Sequence, residues 1–169
     1  MPALQRVLIC LFLTFAPWSF AEGEADIAED ASLLELEVAD GRQNPQSSMR
    51  NFLVALQNDD LDAGDYLDLR NLKGEAAEME PALLAEQFYI ILTRETHLQV
   101  ELLSRSPLGR DEEGVPEYRD LIMYLDTSRG EVPLFLQRVP GEGGKRIWKV
   151  SNRTVNDIPF LYTEFGYSG

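Results

Sequence analysis

Apolar residues recur at two different periods along this chain, and the change of period separates a helical half from a sheet half. Met49, Phe52, Leu53 and Leu56 fall at i, i+3, i+4 and i+7, one face of an amphipathic helix. Ser47 or Ser48 stands where a cap is needed, its oxygen accepting a backbone N–H. Asn58-Asp59-Asp60 ends that pattern, and Leu61 to Leu69 predicts a second short helix that turns Tyr66 and Leu67 inward. After the break at Lys73-Gly74 a longer helix starts at Pro81, a residue suited to a first turn, and runs to about Glu95. Leu84, Phe88, Ile91 and Leu92 form its buried face, flanked by Leu83 and Tyr89.

The period then shortens. Leu98, Val100 and Leu102 alternate with polar residues, which predicts a short strand. Ser104 to Glu117, with its prolines, glycines and mixed charge, predicts an exposed loop. Leu121–Leu125 and Val132–Val139 predict strands around a Thr127–Gly130 turn, and Arg146–Val150 a third strand after Pro140–Gly144. The simplest arrangement is an antiparallel meander packed on the helices, an α+β fold. A final helix starts at the Ser151/Asn152 cap and presents Val155, Ile158, Leu161, Tyr162 and Phe165, with Pro159 expected to kink or restart it. Residues 45–169 thus form a single globular domain of about 125 residues, a size that buries roughly two-thirds of its unfolded surface.

The two ends of the remaining chain differ in kind. Arg6, the apolar run Val7–Ala16 and the small residues Ser19 and Ala21 make a secretory signal over residues 1–21. The run is too short for a bilayer about 30 Å thick, which needs roughly 20 residues. Cleavage after Ala21 removes Cys10, the only cysteine, so the mature chain has neither a disulfide nor a thiol nucleophile. Residues 22–44 read as an acidic, flexible leader: eight carboxylates and no basic residue lie between Glu22 and Asp40. The location expected is periplasmic or otherwise extracytoplasmic, with no transmembrane span in the mature chain.

Charge and spacing exclude several chemistries. A net charge of −14 argues against nucleic acid, since phosphates call for clustered Lys and Arg. His97 is the only histidine, so a histidine-based acid/base pair or zinc site lacks a second member, and a cap at the end of the long helix suits it better. Asp59, Asp60, Asp62, Asp65 and Asp68 invite a calcium reading. Counted from Asp59, however, Leu61, Ala63 and Arg70 fall where an EF-hand loop needs oxygen ligands, so a turn and a solvated helix face is the expectation. Asp111, Glu112 and Glu113 form a weaker acidic cluster. Gly141-Glu142-Gly143-Gly144-Lys145 lacks phosphate-loop spacing and reads as a hairpin turn. Asn152-Arg153-Thr154 reads as a helix cap before it reads as a glycosylation sequon. Ser47, Ser48, Ser104 and Ser106 have no nucleophile-elbow context. Trp148 is expected in the core. No catalytic, cofactor-binding or metal-binding residue is assigned.

Two blocks carry a family likeness. The first is Phe52-Leu53 followed by Asp65-Tyr66-Leu67-Asp68-Leu69-Arg70-Asn71-Leu72. The second is Leu136-Gln137-Arg138-Val139-Pro140, then Ile147-Trp148-Lys149-Val150-Ser151, then Thr154-Val155, Ile158-Pro159, Leu161-Tyr162 and Phe165-Gly166-Tyr167. Over roughly Pro45 to Gly169 the chain resembles the soluble domain preceding the membrane helices in a subset of bacterial small-conductance mechanosensitive channel (MscS-type) proteins. The resemblance implies a non-enzymatic extracytoplasmic domain whose partner is a membrane channel or another envelope protein. Relatives continue into transmembrane helices, whereas this chain shows none, so a split, truncated or free-standing version is expected. The alternative from architecture is a periplasmic small-ligand-binding domain of the nuclear-transport-factor-2-like kind.

Overall fold

A computed structural model of the 169-residue chain describes residues 41–58, 60–94 and 98–166. The signal segment, the leader up to Asp40, Asp59 and His97 lie outside the described residues. Those described form helices α1 (Pro45–Gln57), α2 (Glu75–Glu78), α3 (Pro81–Arg94) and α4 (Asn152–Leu161), with strands β1 (Arg119–Thr127), β2 (Gly130–Pro140) and β3 (Arg146–Val150). The strands make one antiparallel meander in the order β1-β2-β3. The architecture is α+β and closes with a C-terminal helix, as the change of period predicts.

α1 carries the anticipated stripe, and Met49 and Phe52 are fully buried. Its N-cap residue is Asn44; Ser47 completes the cap and Ser48 takes no part in it. The Asn44 side chain accepts from Ser47 N–H at 2.9 Å while Ser47 Oγ accepts from Asn44 N–H at 3.3 Å, a reciprocal capping box ahead of Pro45. Ser48 is thereby free to turn inward. Hydrogen bonds to the domain begin upstream of Pro45: Trp148 N–H donates to the Arg42 carbonyl and Asn51 Nδ2 to the Gly41 carbonyl, each at 2.9 Å.

The predicted helix over Leu61–Leu69 is a shorter 3₁₀ turn, Leu61–Tyr66. It stops because Leu67 leaves to form a parallel bridge with Val150, and Asp68 N–H donates to the Val150 carbonyl at 2.9 Å. The strand predicted at Leu98–Leu102 is also corrected. Val100–Leu102 is a 3₁₀ turn with Leu102 65% exposed. Its backbone is held by α1 instead of a strand: Gln46 Nε2 donates to the Glu101 carbonyl and Gln46 N–H to the Ser104 carbonyl. Pro159 neither breaks nor restarts α4, which runs on to Leu161 and then widens into a π-helical turn, Tyr162–Gly166.

α1 rests on β3 and α4 on β2, while α3 closes against both helices. Leu84, Phe88, Ile91 and Leu92 of α3 are buried as anticipated, Phe88 meeting Phe52 at 5.8 Å between ring centroids. Leu134, Leu136, Trp148 and Val150 supply the sheet side of this core. Pro133 is tolerated inside β2 because it shares the parity of Phe135, whose N–H points away from β1 to Thr154 Oγ1 at 2.8 Å. Its missing N–H therefore removes no rung between β1 and β2. The β2–β3 turn needs positive φ at Gly143 (63°) and Gly144 (77°), which is what those glycines provide.

Candidate functional site

Two buried carboxylates hold the chemistry of this domain, and neither was singled out from the sequence as buried. Asp68 is 2% exposed, not part of a solvated face. Its Oδ1 accepts from Arg70 Nε at 2.7 Å and from Arg70 N–H at 3.2 Å. Its Oδ2 accepts from Arg70 Nη2 at 2.9 Å and from Gln137 Nε2 of β2. Burial pushes its pKa up, but the hydrogen bonds and charge of Arg70 outweigh that and hold it below the ordinary carboxylate value. Arg70 is pushed up in turn, chiefly by its hydrogen bonds to Asp68. Nearby Lys149 is lowered, by burial first and then by the charge of Arg42. The fork-to-carboxylate pairing fixes the Asp68 carboxylate within its own segment, and Gln137 Nε2 together with the Asp68 N–H to Val150 bond clips that segment to the sheet.

Asp120, at the start of β1, is 1% exposed. Its Oδ2 accepts from Arg110 N–H at 2.8 Å, and its Oδ1 has no hydrogen-bond partner among the described residues. Burial raises its pKa and Glu112 adds to the rise, while the Arg110 hydrogen bond and charge oppose it. The Ser104–Glu117 loop has no helix or strand, as predicted, yet it is pinned at its middle. Trp148 Nε1 donates to the Pro107 carbonyl at 3.0 Å. Gly109 lies so close to the indole that a Cβ there would sit 2.6 Å from the ring. Of the acidic residues in this loop, Glu112 lies 3.9 Å from Arg110 Nη1, while Asp111 and Glu113 are exposed.

The hydroxyls of Ser47, Ser48, Ser104 and Ser106 all serve the backbone. Ser48 Oγ donates to the Trp148 carbonyl, Ser47 Oγ accepts from Asn44 N–H, Ser104 Oγ accepts from Ser106 N–H, and Ser106 Oγ accepts from Leu108 N–H. Ser151 caps α4 by accepting from Thr154 N–H, and Asn152 of the sequon donates to the Arg70 carbonyl. Among the described residues no group of three or more histidine, cysteine or acidic side chains is gathered to hold a metal ion.

Open clefts mark the surface. One of about 580 Å³ lies between Asn71 and Lys73, the start of β2 and the first turn of α4, where Arg153 and Asp157 face it. Another, of about 410 Å³, lies where the ends of α1 and the Leu61–Tyr66 turn meet α3; Leu56, Asp60, Ala63, Ala82, Glu86, Tyr89 and Ile90 line it. The space between the sheet and the helices, by contrast, is filled by Leu134, Leu136, Trp148, Phe52 and Phe88.

No family model, no curated protein and no solved structure matches this chain.

Among the described residues no helix is long and apolar enough to cross a membrane. The chemistry available at Asp68 and Asp120 is that of anchoring: fixed carboxylates that accept from the backbone and from Arg70.

Proposed function

We propose that this chain is a non-catalytic, extracytoplasmic interaction domain of the mechanosensitive-channel type, acting through contacts with a channel or another envelope protein. One observation supports the reading above others. The two sequence blocks that carry the family likeness are 69 residues apart at Asp68 and Gln137, yet they join through the Gln137–Asp68 hydrogen bond. Asp68 N–H meets the Val150 carbonyl beside it. The two blocks therefore pack against each other as one unit. The buried polar groups of that unit are engaged in holding it together, which leaves its outer surfaces as the means of action.

A small-ligand pocket of the nuclear-transport-factor-2-like kind has less support, because Trp148 and the aromatic residues of α1 and α3 fill the layer such a pocket would occupy.

The test is fractionation of a bacterium expressing the tagged full chain, with N-terminal sequencing and cross-linking in intact cells. The reading expects envelope or periplasmic protein beginning at Glu22 and cross-linked to a membrane protein. Cytoplasmic protein that retains Met1, with no cross-linked membrane protein, would reject it.

A further inference from the structure

α3 is apolar on two sides. Leu84, Ala85, Phe88, Ile91 and Leu92 enter the core, but Ala82, Leu83 and Ile90 lie on the opposite side of the same helix, where Leu83 is 45% exposed. Between Pro81 and Ile91 only Glu86 and Gln87 are strongly polar. A helix of that composition is ordinarily covered on both faces. The second face borders the cleft of about 410 Å³ described above. Its apolar wall is Leu56, Ala63, Ala82 and Ile90; its charged members are Asp60 and Glu86; among the described residues no lysine or arginine lines it.

We propose that this groove docks a basic amphipathic segment of a partner protein. An apolar side chain of the partner seats against Leu56, Ala82 and Ile90, and lysine or arginine to either side meets Asp60 and Glu86. Ala82 to Ile90 spans about 12 Å along the helix axis, so the groove matches roughly two turns of a partner helix laid alongside α3. Charge selects this occupant over the others. A second copy of the chain would bring its own Asp60, Glu86 and net charge of −14 against the same surface, and an anionic lipid surface would be repelled in the same way. The inference rests on the reading of the chain as an interaction domain and names the surface and the class of partner.

The experiment uses the purified full chain and a synthetic helical peptide of about four turns, built from leucine on one face and lysine on the other. A leucine/glutamate helix of the same pattern is the control. The lysine helix should bind and the glutamate helix should not. Asp60→Asn with Glu86→Gln should weaken binding about fivefold, the effect of losing two exposed ion pairs. Asn keeps the oxygen that caps the Leu61–Tyr66 turn, so the fold is retained. Ala82→Trp, at an exposed position, should abolish binding by filling the groove. Asp111→Asn with Glu113→Gln should leave the affinity unchanged. Equal weakening by that remote pair would reduce the effect to diffuse attraction and overturn the proposal. So would equal binding of the glutamate helix, or a dimer of the unaltered chain that Ala82→Trp dissociates. These outcomes are independent of fractionation: a cytoplasmic chain that binds the lysine helix through Ala82 would reject the envelope reading and leave the groove standing.

Discussion

Ser48 Oγ donates to the carbonyl of Trp148 at 2.7 Å, a fully buried hydrogen bond that ties the first turn of α1 to the middle of β3. The capping box makes this possible by giving the cap to Asn44 and Ser47. Removing the hydroxyl leaves a buried carbonyl without its donor. Ser48→Ala should therefore cost about 1–3 kcal/mol in urea unfolding, against a total of roughly 5–15 kcal/mol. A loss under about 0.3 kcal/mol would show that Trp148 O finds another donor.

Trp148→Ala or Phe88→Ala should each cost about 3–5 kcal/mol, because both rings are fully buried in one contiguous cluster. Either variant should be marginally folded at room temperature by circular dichroism. A native-like thermal transition in both would show that neither ring is essential to the core.

Asp68 and Asp120 should pull the pH dependence of stability in opposite directions. The folded-state pKa of Asp68 is lowered, so its contribution is fully present above the unfolded value of 3.8 and fades as pH falls below it toward the folded value. The folded-state pKa of Asp120 is raised, so folding favours its protonated form. The stability that form provides is greatest below 3.8 and is lost as pH rises through the folded value. At neutral pH Asp68→Asn should destabilise by about 1–3 kcal/mol, since it loses charged hydrogen bonds to Arg70. Asp120→Asn should be neutral or stabilising there, because the acceptor for Arg110 N–H survives and a buried charge is removed. Melting curves of the two variants from pH 3 to pH 8 check both signs; parallel curves would refute the assignment.

Gly109 and Gly114 offer a matched pair. Both have positive φ, 82° and 83°, but only Gly109 faces the indole of Trp148, and Gly114 faces open space. Each change to alanine should cost about 1–2 kcal/mol of backbone strain. Gly109→Ala should cost more, because the indole or the loop must also shift. Equal melting temperatures for the two variants would mean that the loop moves away from Trp148 at no cost.

Much of this fold could be read from periodicity. The stripe through Leu84, Phe88, Ile91 and Leu92 depends on the chain's own period and appears where expected, and the strands expected at Leu121–Leu125, Val132–Val139 and Arg146–Val150 form. The errors fell where a distant partner decides. Leu67 has an unremarkable neighbourhood until Val150 is beside it, and Val100 alternates like a strand residue although its neighbours bond to α1. The buried carboxylates were the least legible. Asp68 sits among other aspartates and Asp120 between Arg119 and Leu121, in contexts indistinguishable from solvated charge. Only Gln137 and Arg110, brought close by the meander and its loop, reveal what they do. The groove left a faint trace, an α3 sequence with too few polar residues for a helix exposed on one side.

The pairing of Leu67 with Val150 has a consequence for how the molecule behaves in a crowd of its own copies. A terminal strand with bare amides and carbonyls is a template on which another chain can grow. Along β3 that template is already occupied: Trp148 N–H goes to Arg42, Trp148 O to Ser48 and Val150 O to Asp68. The opposite border, β1, is interrupted by a register shift between Leu121 and Met123, which spoils a straight docking edge. The three-stranded sheet is thus guarded on one border by Arg42, Ser48 and Asp68 and on the other by the register shift.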